Sequence, residues 1–373
     1  MKNALDFNTR YNRLEALTFI QRFATAYMHL EASAGKPDIY GYCAGCRPDC
    51  KKPDCEKDEA GADAIRCKFF FLFNTMCGNS AIRGHFDGRL TEMQKLIGDT
   101  GTNCGDCGSD ITIDFLFGFA GYDYRKVTGG FKAEIIAAID AGKPVIAKVK
   151  SGRPRFYLIN GYDGDALICP DFIGNDWNFQ TNKPDETGPD GPPAYANLDA
   201  LFIFGEKTAR RYTLIDGLHN IRRTMECNIN EHVLDGYLEQ MGESFIKASR
   251  KERLARTQRL KETVVYLYNI VSFMGAFVSD PNPHSHALHQ EIWAIPDFAE
   301  LSNRLNEQHW IILNNGHKVG GFHNKVKKAT FAPWRIRGLS AEICETIREI
   351  KEADMKLLEI INQAIAILEE ATP

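Results

Sequence analysis

Apolar residues recur every three or four positions between residues 8 and 32, and this spacing predicts an amphipathic helix near the start of the chain. A second helix is predicted over residues 90–97, where Gly98 provides a stop signal. A third helix is predicted from residue 109 or 110 to residue 120, with Gly121 as its cap. The first third of the chain therefore favours helices.

The hydrophobic pattern changes after Gly121 to short apolar runs, which are typical of strands. Strands are predicted over residues 122–127, 144–149, 156–160, 166–169 and 200–204, with a helix over residues 131–141. The turn Gly161-Tyr162-Asp163-Gly164-Asp165 predicts a hairpin between the third and fourth of these strands. Helices followed by an antiparallel sheet indicate an α+β fold.

Helical periodicity dominates residues 231–278 and 341–368, with a break at Asp280-Pro281-Asn282-Pro283. This part of the chain is typical of a helical bundle. A chain of 373 residues is long enough for two domains with separate cores. We expect an N-terminal helix and cysteine-rich loop over residues 1–66, a helix-plus-sheet domain over 67–208, and an α-helical bundle domain over 209–373.

The net charge of −4 gives no electrostatic reason to expect binding to nucleic acid. A basic run, Lys247–Lys261, includes a glutamate and follows a helical pattern, which indicates a solvated helix face. The longest apolar run, Val264–Val278, is shorter than the about 20 residues that cross a bilayer, and no signal peptide is recognised. We therefore expect a cytoplasmic protein that binds neither membranes nor nucleic acids.

Cys77 follows the apolar run Phe69–Phe73 and precedes a glycine and small residues that are expected to begin a helix. A thiol in the first turn of a helix meets the positive end of the helix dipole, which lowers its pKa towards a reactive thiolate. Cys77 is therefore a candidate nucleophile. The alternative is a small buried cysteine that fills the core.

The motifs after Cys77 occur in a recognisable order. The Cys77-Gly78 helix start is followed by a Leu-Thr-Glu-Met helix at 90–93, the Gly101-Thr102 turn, the segment Ala141–Ile146 and the Gly161–Asp165 hairpin. Over roughly residues 65–175, this order resembles the papain-like fold of the bacteriocin-processing cysteine peptidases and of the N-terminal domain of butirosin-biosynthesis H-type acyltransferases. The resemblance implies amide hydrolysis or acyl transfer by a cysteine, with a peptide or a small-molecule amide or thioester as substrate.

The resemblance also implies a histidine at the start of the strand that enters the hairpin, and an aspartate after the next strand. Cys77 and Asp171 match the nucleophile and aspartate positions, whereas Arg155 occupies the histidine position. The expected oxyanion-hole glutamine is missing as well, and Asn74 is the nearest amide. A guanidinium stabilises a thiolate or forms a plain salt bridge, but it does not transfer protons. The predicted site is therefore degenerate.

Other histidines are candidate bases, and each has a structural role as its alternative. His85 lies eight residues after Cys77, too far along one helix for a direct hydrogen bond. His317 and His323 lie in a Gly-rich segment that is expected to be a loop. A further cluster, typical of metal ligands or of a polar loop, consists of His284, His286 and His289.

Four cysteines, Cys43, Cys46, Cys50 and Cys55, crowd into a polar loop rich in glycine and proline. Four thiolates at this spacing predict a structural zinc site or an iron–sulfur cluster. The alternatives are an exposed thiol-rich loop or disulfides in an oxidising compartment. Cys104 and Cys107 form a separate pair that suits redox chemistry or a local disulfide.

Three functions remain open at this point. In the first, Cys77 catalyses amide hydrolysis or acyl transfer without a cofactor, assisted by Arg155, Asp171 and Asn74. In the second, the papain-like domain is catalytically inactive and binds a peptide or a metabolite. In the third, the cysteine cluster over residues 43–55 makes the chain a metal-dependent or redox protein.

Overall fold

The computed structural model describes residues 2–5, 18–33, 69–98, 108–150, 155–169, 177–178, 183–184, 193–267, 276–277, 287–329 and 333–371. These residues form helices and antiparallel sheets, which agrees with an α+β class. The helices are α1 (Phe19–Ser33), α2 (69–76), α3 (Glu92–Ile97), α4 (Asp110–Ala120), α5 (Phe131–Asp140), α6 (Leu214–Asn230), α7 (Val233–Met241), α8 (Glu243–Lys247), α9 (Arg250–Thr263), α10 (Ala287–Trp293), α11 (Phe298–Ala329) and α12 (Pro333–Ala371). The strands are β1 (Lys2–Ala4), β2 (Tyr122–Val127), β3 (Val145–Val149), β4 (Arg155–Ile159), β5 (Gly161–Asp163), β6 (Ala166–Ile168), β7 (Trp177–Asn178), β8 (Lys183–Pro184) and β9 (Leu198–Lys207).

The chain divides into two compact units, and each is built from separate stretches of sequence. The sheet unit comprises Met1–Phe73, Gly105–Thr213 and Pro281–Gln290. The helical unit comprises Asn74–Cys104, Leu214–Asp280 and Glu291–Pro373. The segment that contains Cys77 therefore belongs to the helical unit.

A four-stranded antiparallel sheet, in the order β2-β9-β3-β4, forms the centre of the sheet unit. Within it, Ala147 of β3 lies opposite both Leu201 of β9 and Tyr157 of β4. A second sheet has the order β1-β5-β6, and β7 pairs with β8. Gly164, with a φ of 59°, lies in the turn between β5 and β6. Its left-handed conformation suits glycine.

The predicted strands over 122–127, 144–149 and 156–160 are confirmed as β2, β3 and β4, and the helix over 131–141 as α5. The predicted hairpin is wrong in its pairing. Gly161–Asp163 is itself strand β5, and β5 rather than β4 pairs with β6. The chain leaves the first sheet after Ile159 and passes at Asn160 into the second sheet, so the strand that pairs with β6 begins at Gly161.

The central sheet is buried on both faces, as strand alternation allows. On one face, alternate residues of β3, β4 and β9 pack against Ile135 and Ile139 of α5. On the other face, Phe19 of α1 meets Phe156 and Phe202 edge-on, with ring centroids 5.3 and 5.4 Å apart. Edge-to-face aromatic pairs add to the stabilisation that burial provides.

In the helical unit, α11 and α12 pack along each other, while α6 and α7 pack on α12 and α9 packs on α11. Residues 74–98 also belong to this unit, and a hydrogen bond fastens their start to α6. Asn220 Nδ2 donates to the Met76 carbonyl at 3.2 Å. The predicted helix over 90–97 is confirmed as α3. The Thr91 side chain accepts from the Gln94 N–H, and the Gln94 side chain accepts from the Thr91 N–H, which completes a capping box.

None of the described helices carries an apolar stretch long enough to cross a membrane.

Candidate functional site

Cys77 lies at the end of a helix and not at the start of one. Residues 69–76 form α2, residue 77 and Gly78 form a turn, and only a three-residue 3₁₀ helix, Asn79–Ala81, follows. Gly78 has a φ of 85°, the left-handed conformation that commonly terminates helices. The expected helix start at Cys77 is therefore wrong, because the apolar run before Cys77 is itself the helix and Gly78 stops it.

The surroundings of the Cys77 thiol follow from this placement. The carbonyl end of a helix carries the negative end of its dipole, which is opposite in sign to the expectation. The Sγ atom lies 3.4 Å from the Asn74 carbonyl oxygen, to which the thiol donates. Only 3% of the residue is exposed. The dipole argument for an activated nucleophile therefore does not apply at this position.

Asn74, the predicted oxyanion-hole amide, lies in the last turn of α2 and is buried. Its Oδ1 accepts a hydrogen bond of 2.6 Å from the Asn79 side chain. A second bond across the same reversal joins Ser80 Oγ to Thr75 Oγ1 at 3.2 Å. Asn74 and Cys77 are thus brought together, in a turn whose side-chain bonds fasten the chain reversal.

Arg155 is the first residue of β4, opposite Val149, and it is partly exposed. It belongs to the sheet unit, whereas Cys77 and Asn74 belong to the helical unit. Of the predicted catalytic residues that the structure describes, only Cys77 and Asn74 share a compact unit. The other predicted site residues lie outside the described residues, and they are Asp171, Cys43, Cys46, Cys50 and Cys55.

One carboxylate, that of Glu231, binds both a histidine and a cysteine in the helical unit. His85 Nε2 lies 2.9 Å from Glu231 Oε2, and the Cys227 thiol donates to Oε1 at 3.0 Å. The Glu92 backbone N–H, at the start of α3, donates to Oε1 at 2.8 Å. Cys227 and Glu231 are four residues apart, a spacing that brings side chains together on a helix and was available in the sequence. The contact between Glu231 and His85 could not be predicted from the sequence.

The protonation of this cluster follows from its contacts. Burial alone raises the pKa of Glu231, but bonds from Cys227, the Glu92 N–H and His85 together hold that pKa below its usual range. Burial raises the pKa of the Cys227 thiol to about 11, and the Glu231 carboxylate adds to the rise. The cluster therefore holds a protonated thiol beside a carboxylate at neutral pH, and not a reactive thiolate.

The remaining candidate histidines lie in helices where the structure describes them. His317 and His323 belong to α11, so the expected Gly-rich loop is wrong. The apolar residues Val319 and Phe322 are buried here, and this packing outweighs the low helix propensity of the neighbouring glycines. Burial lowers the pKa of His323. His289 lies in α10, while residues 284 and 286 lie outside the described residues.

A cavity of about 460 Å³ opens beside His85 within the helical unit. Its walls come from residues 85–89, from α7 and from α9. Small-molecule sites in proteins commonly measure about 300–1,000 Å³. The helical unit therefore has room for a ligand of metabolite size.

Among the described residues, no group of three or more histidines, cysteines, aspartates and glutamates is placed to hold a metal ion. Within the described residues, Cys77, Cys227 and Cys344 are thiols that form no disulfide. The four predicted zinc ligands lie outside the described residues, so the zinc site stays a prediction.

The chain was compared with family models, with curated proteins and with solved structures, and none of the three comparisons gave a match.

Proposed function

We propose that the chain is a papain-like protein that acts by binding a ligand and not by thiol catalysis. The observation that carries this proposal is the position of Cys77. Its thiol is buried at the carbonyl end of α2 and donates to the Asn74 carbonyl. A nucleophile has to reach a substrate carbonyl as a thiolate, and this position opposes both requirements.

The groups available as proton acceptors support the same proposal. Arg155 stands at the expected histidine position, and a guanidinium does not accept protons at physiological pH. His85 is the histidine nearest to Cys77 in sequence, but the Cys77 thiol donates to the Asn74 carbonyl and not to an imidazole. A cysteine hydrolase needs a base that takes the thiol proton and returns it to the leaving group.

The papain-like assignment is part of the proposal and is supported by the order of the elements from α3 to β4. Helices α3 and α4, strand β2, helix α5 and strands β3 and β4 follow each other as expected for the resemblance. The strands form an antiparallel sheet. Within this proposal, the ligand is a peptide or a metabolite.

The active alternative is thiol-dependent hydrolysis or acyl transfer with Cys77, Arg155, Asp171 and Asn74. Labelling of the folded protein with iodoacetamide, followed by peptide mapping, separates the two functions. We expect Cys77 to react no faster than Cys344, another buried thiol, and to react fully only after unfolding.

Selective labelling of Cys77 below about pH 8, faster than every other thiol, would overturn the proposal. The same result would restore the hydrolase. A peptide thioester provides the second test, and we expect no difference in its hydrolysis between the native chain and Cys77→Ser.

A further inference from the structure

Three arginines line the cavity beside His85. Arg89 comes from the loop before α3, while Arg256 and Arg259 lie three residues apart on one face of α9. Most of helix α9, Arg250–Thr263, overlaps the basic run Lys247–Lys261. Like charges gathered on one wall raise the positive potential in a cleft and concentrate anions there.

Two carboxylates also line the cavity, those of Asp87 and Glu239. Asp87 is already bound by Arg89, through the backbone N–H at 3.0 Å and Nε at 2.9 Å. The charges of Asp87 and Arg89 therefore largely neutralise each other. The wall formed by α9 then offers Arg256 and Arg259, with the carboxylates of Glu239 in the lining and of Glu262 beside Arg259.

The two α9 guanidiniums retain donors for a ligand. Arg256 Nη1 donates to the Gln240 carbonyl at 3.0 Å and to Ser244 Oγ at 2.9 Å. Arg259 Nη1 lies 3.3 Å from a half-exposed carboxylate, that of Glu262. Within the described part of the chain, these contacts use one nitrogen of each guanidinium. A guanidinium carries five N–H donors in a planar fork that matches a carboxylate or a phosphate.

Gly236, in the wall that α7 forms, leaves space in the cavity because it carries no side chain. It lies inside α7, where glycine costs about 1 kcal/mol relative to alanine. A Cβ atom built at Gly236 meets nothing within 4 Å, so close packing does not require the glycine. Gly236 also lines the cavity. A side chain at this position would extend into the cavity, and its absence keeps the cavity free.

The lining of the cavity includes the aromatic ring of Phe86. This ring meets the Tyr237 ring edge-on, with centroids 5.3 Å apart. The Tyr237 hydroxyl donates to the Gly84 carbonyl at 2.9 Å, which fixes the segment before Phe86. The cavity thus combines an aromatic ring with cationic side chains, and small-molecule sites commonly pair apolar surface with a few placed polar or charged groups.

We infer that this cavity binds a small organic anion, a polycarboxylate or a phosphate ester, whose charged group contacts Arg256 and Arg259. The inference rests on the proposed binding role and gives it a site and a ligand class. A carboxylate and a phosphate can each offer two acceptor oxygens to a guanidinium fork, which binds them through two parallel N–H bonds.

Calorimetric titration of the full chain with citrate, and separately with pyrophosphate, tests the inference at constant ionic strength. We expect saturable binding of at least one of the two anions. Preference for citrate identifies a carboxylate ligand, and preference for pyrophosphate identifies a phosphate ligand. No saturable binding of either anion would overturn the inference.

Two pairs of variants show whether binding takes place in the cavity. Arg259→Gln and Lys251→Gln each remove one positive charge from α9, but Lys251 is exposed and does not line the cavity. We expect a loss of affinity of about tenfold for Arg259→Gln and of less than about twofold for Lys251→Gln. Equal losses would indicate attraction to the helix charge alone and would overturn the inference.

Gly236→Leu fills the cavity, whereas Gly338→Leu places the same side chain on α12, where a Cβ also meets nothing within 4 Å. We expect only Gly236→Leu to abolish binding, with the melting temperatures of both variants at or above that of the native chain. Unchanged affinity in Gly236→Leu would contradict the site. Cys77 labelling does not depend on anion binding, so the two proposals can fail separately.

Discussion

Arg83 binds Asp354 through two parallel hydrogen bonds, from Nε to Oδ2 at 2.9 Å and from Nη2 to Oδ1 at 2.6 Å. The Arg83 side chain is 1% exposed and that of Asp354 is 10% exposed. Arg83 Nη1 also donates to the Tyr266 carbonyl at 3.2 Å. This buried pair joins the segment before α3 to α12 inside the helical unit, although 271 positions separate the two residues.

Replacing Arg83 with methionine should lower the free energy of unfolding by about 3–5 kcal/mol, because the buried Asp354 carboxylate loses its partner. Denaturant unfolding measures the change. Arg83→Met combined with Asp354→Leu should recover part of the loss, since no unpaired charge is then buried. Lys95→Met, which breaks an exposed pair with Glu92, provides the control and should have no measurable effect. A loss in the control as large as that in Arg83→Met would contradict the role of burial.

Acidification should weaken the helical unit through Glu231. Its pKa in the folded state lies below the unfolded value of about 4.3, so its contribution is complete above that value and disappears as the pH falls through the folded pKa. Glu231→Gln should therefore flatten the acid side of the stability profile, measured by urea unfolding from about pH 3 to 7. Glu226→Gln removes an exposed carboxylate of α6 and should leave the profile unchanged. Parallel profiles for the native chain and Glu231→Gln would rule out this contribution.

Gly78→Ala should destabilise the chain by about 2–4 kcal/mol, for two reasons that act together. The φ of 85° strains any L-residue, and the new Cβ would lie 2.6 Å from Thr224 Oγ1 and 2.9 Å from the Asn220 carbonyl. Gly338→Ala is the matched control and should stabilise α12 by about 1 kcal/mol, because its Cβ meets no atom within 4 Å. The two variants should therefore shift the melting temperature in opposite directions. A neutral Gly78→Ala would show that the turn after Cys77 tolerates a side chain.

The cysteine cluster over residues 43–55 should bind about one equivalent of zinc, measured by elemental analysis of untagged protein. Cys46→Ser should lose the metal because it removes one of four thiolates. Cys104 lies outside the cluster, so Cys104→Ser should retain the metal. Substantially less than one equivalent in the native chain would remove the zinc site from consideration.

Local signals in the sequence were sufficient for much of the sheet unit and for α3. Helix α3 is decided by Thr91 and Gln94 at its start and by Gly98 at its end, all within a few residues. Strand β3 is decided by its short apolar run, Val145–Val149. Such elements depend on neighbours in sequence, and their existence was predictable.

Two misplaced elements show where local signals were misleading. The glycine after Cys77 is compatible with a helix start, but its left-handed φ makes it a helix stop. The glycines beside His317 suggested a loop, but burial of Val319 and Phe322 holds the segment in α11. Both outcomes depend on tertiary packing, which overrides weak propensities.

The contacts of the candidate sites could not be predicted from sequence spacing alone. His85 and Glu231 are 146 positions apart, and residues 85–89 meet α7 and α9 only after the chain has folded. No periodicity connects such distant positions.

The pairing of Arg83 with Asp354 also determines when, during synthesis of the chain, this part of the helical unit can complete its folding. At translation rates of about 5–20 residues per second, roughly 15–50 s pass between synthesis of Arg83 and synthesis of its partner. Throughout that interval the guanidinium has no carboxylate to neutralise it in its final location. The buried ion pair of the helical unit therefore forms only after α12, which carries Asp354, has been synthesised.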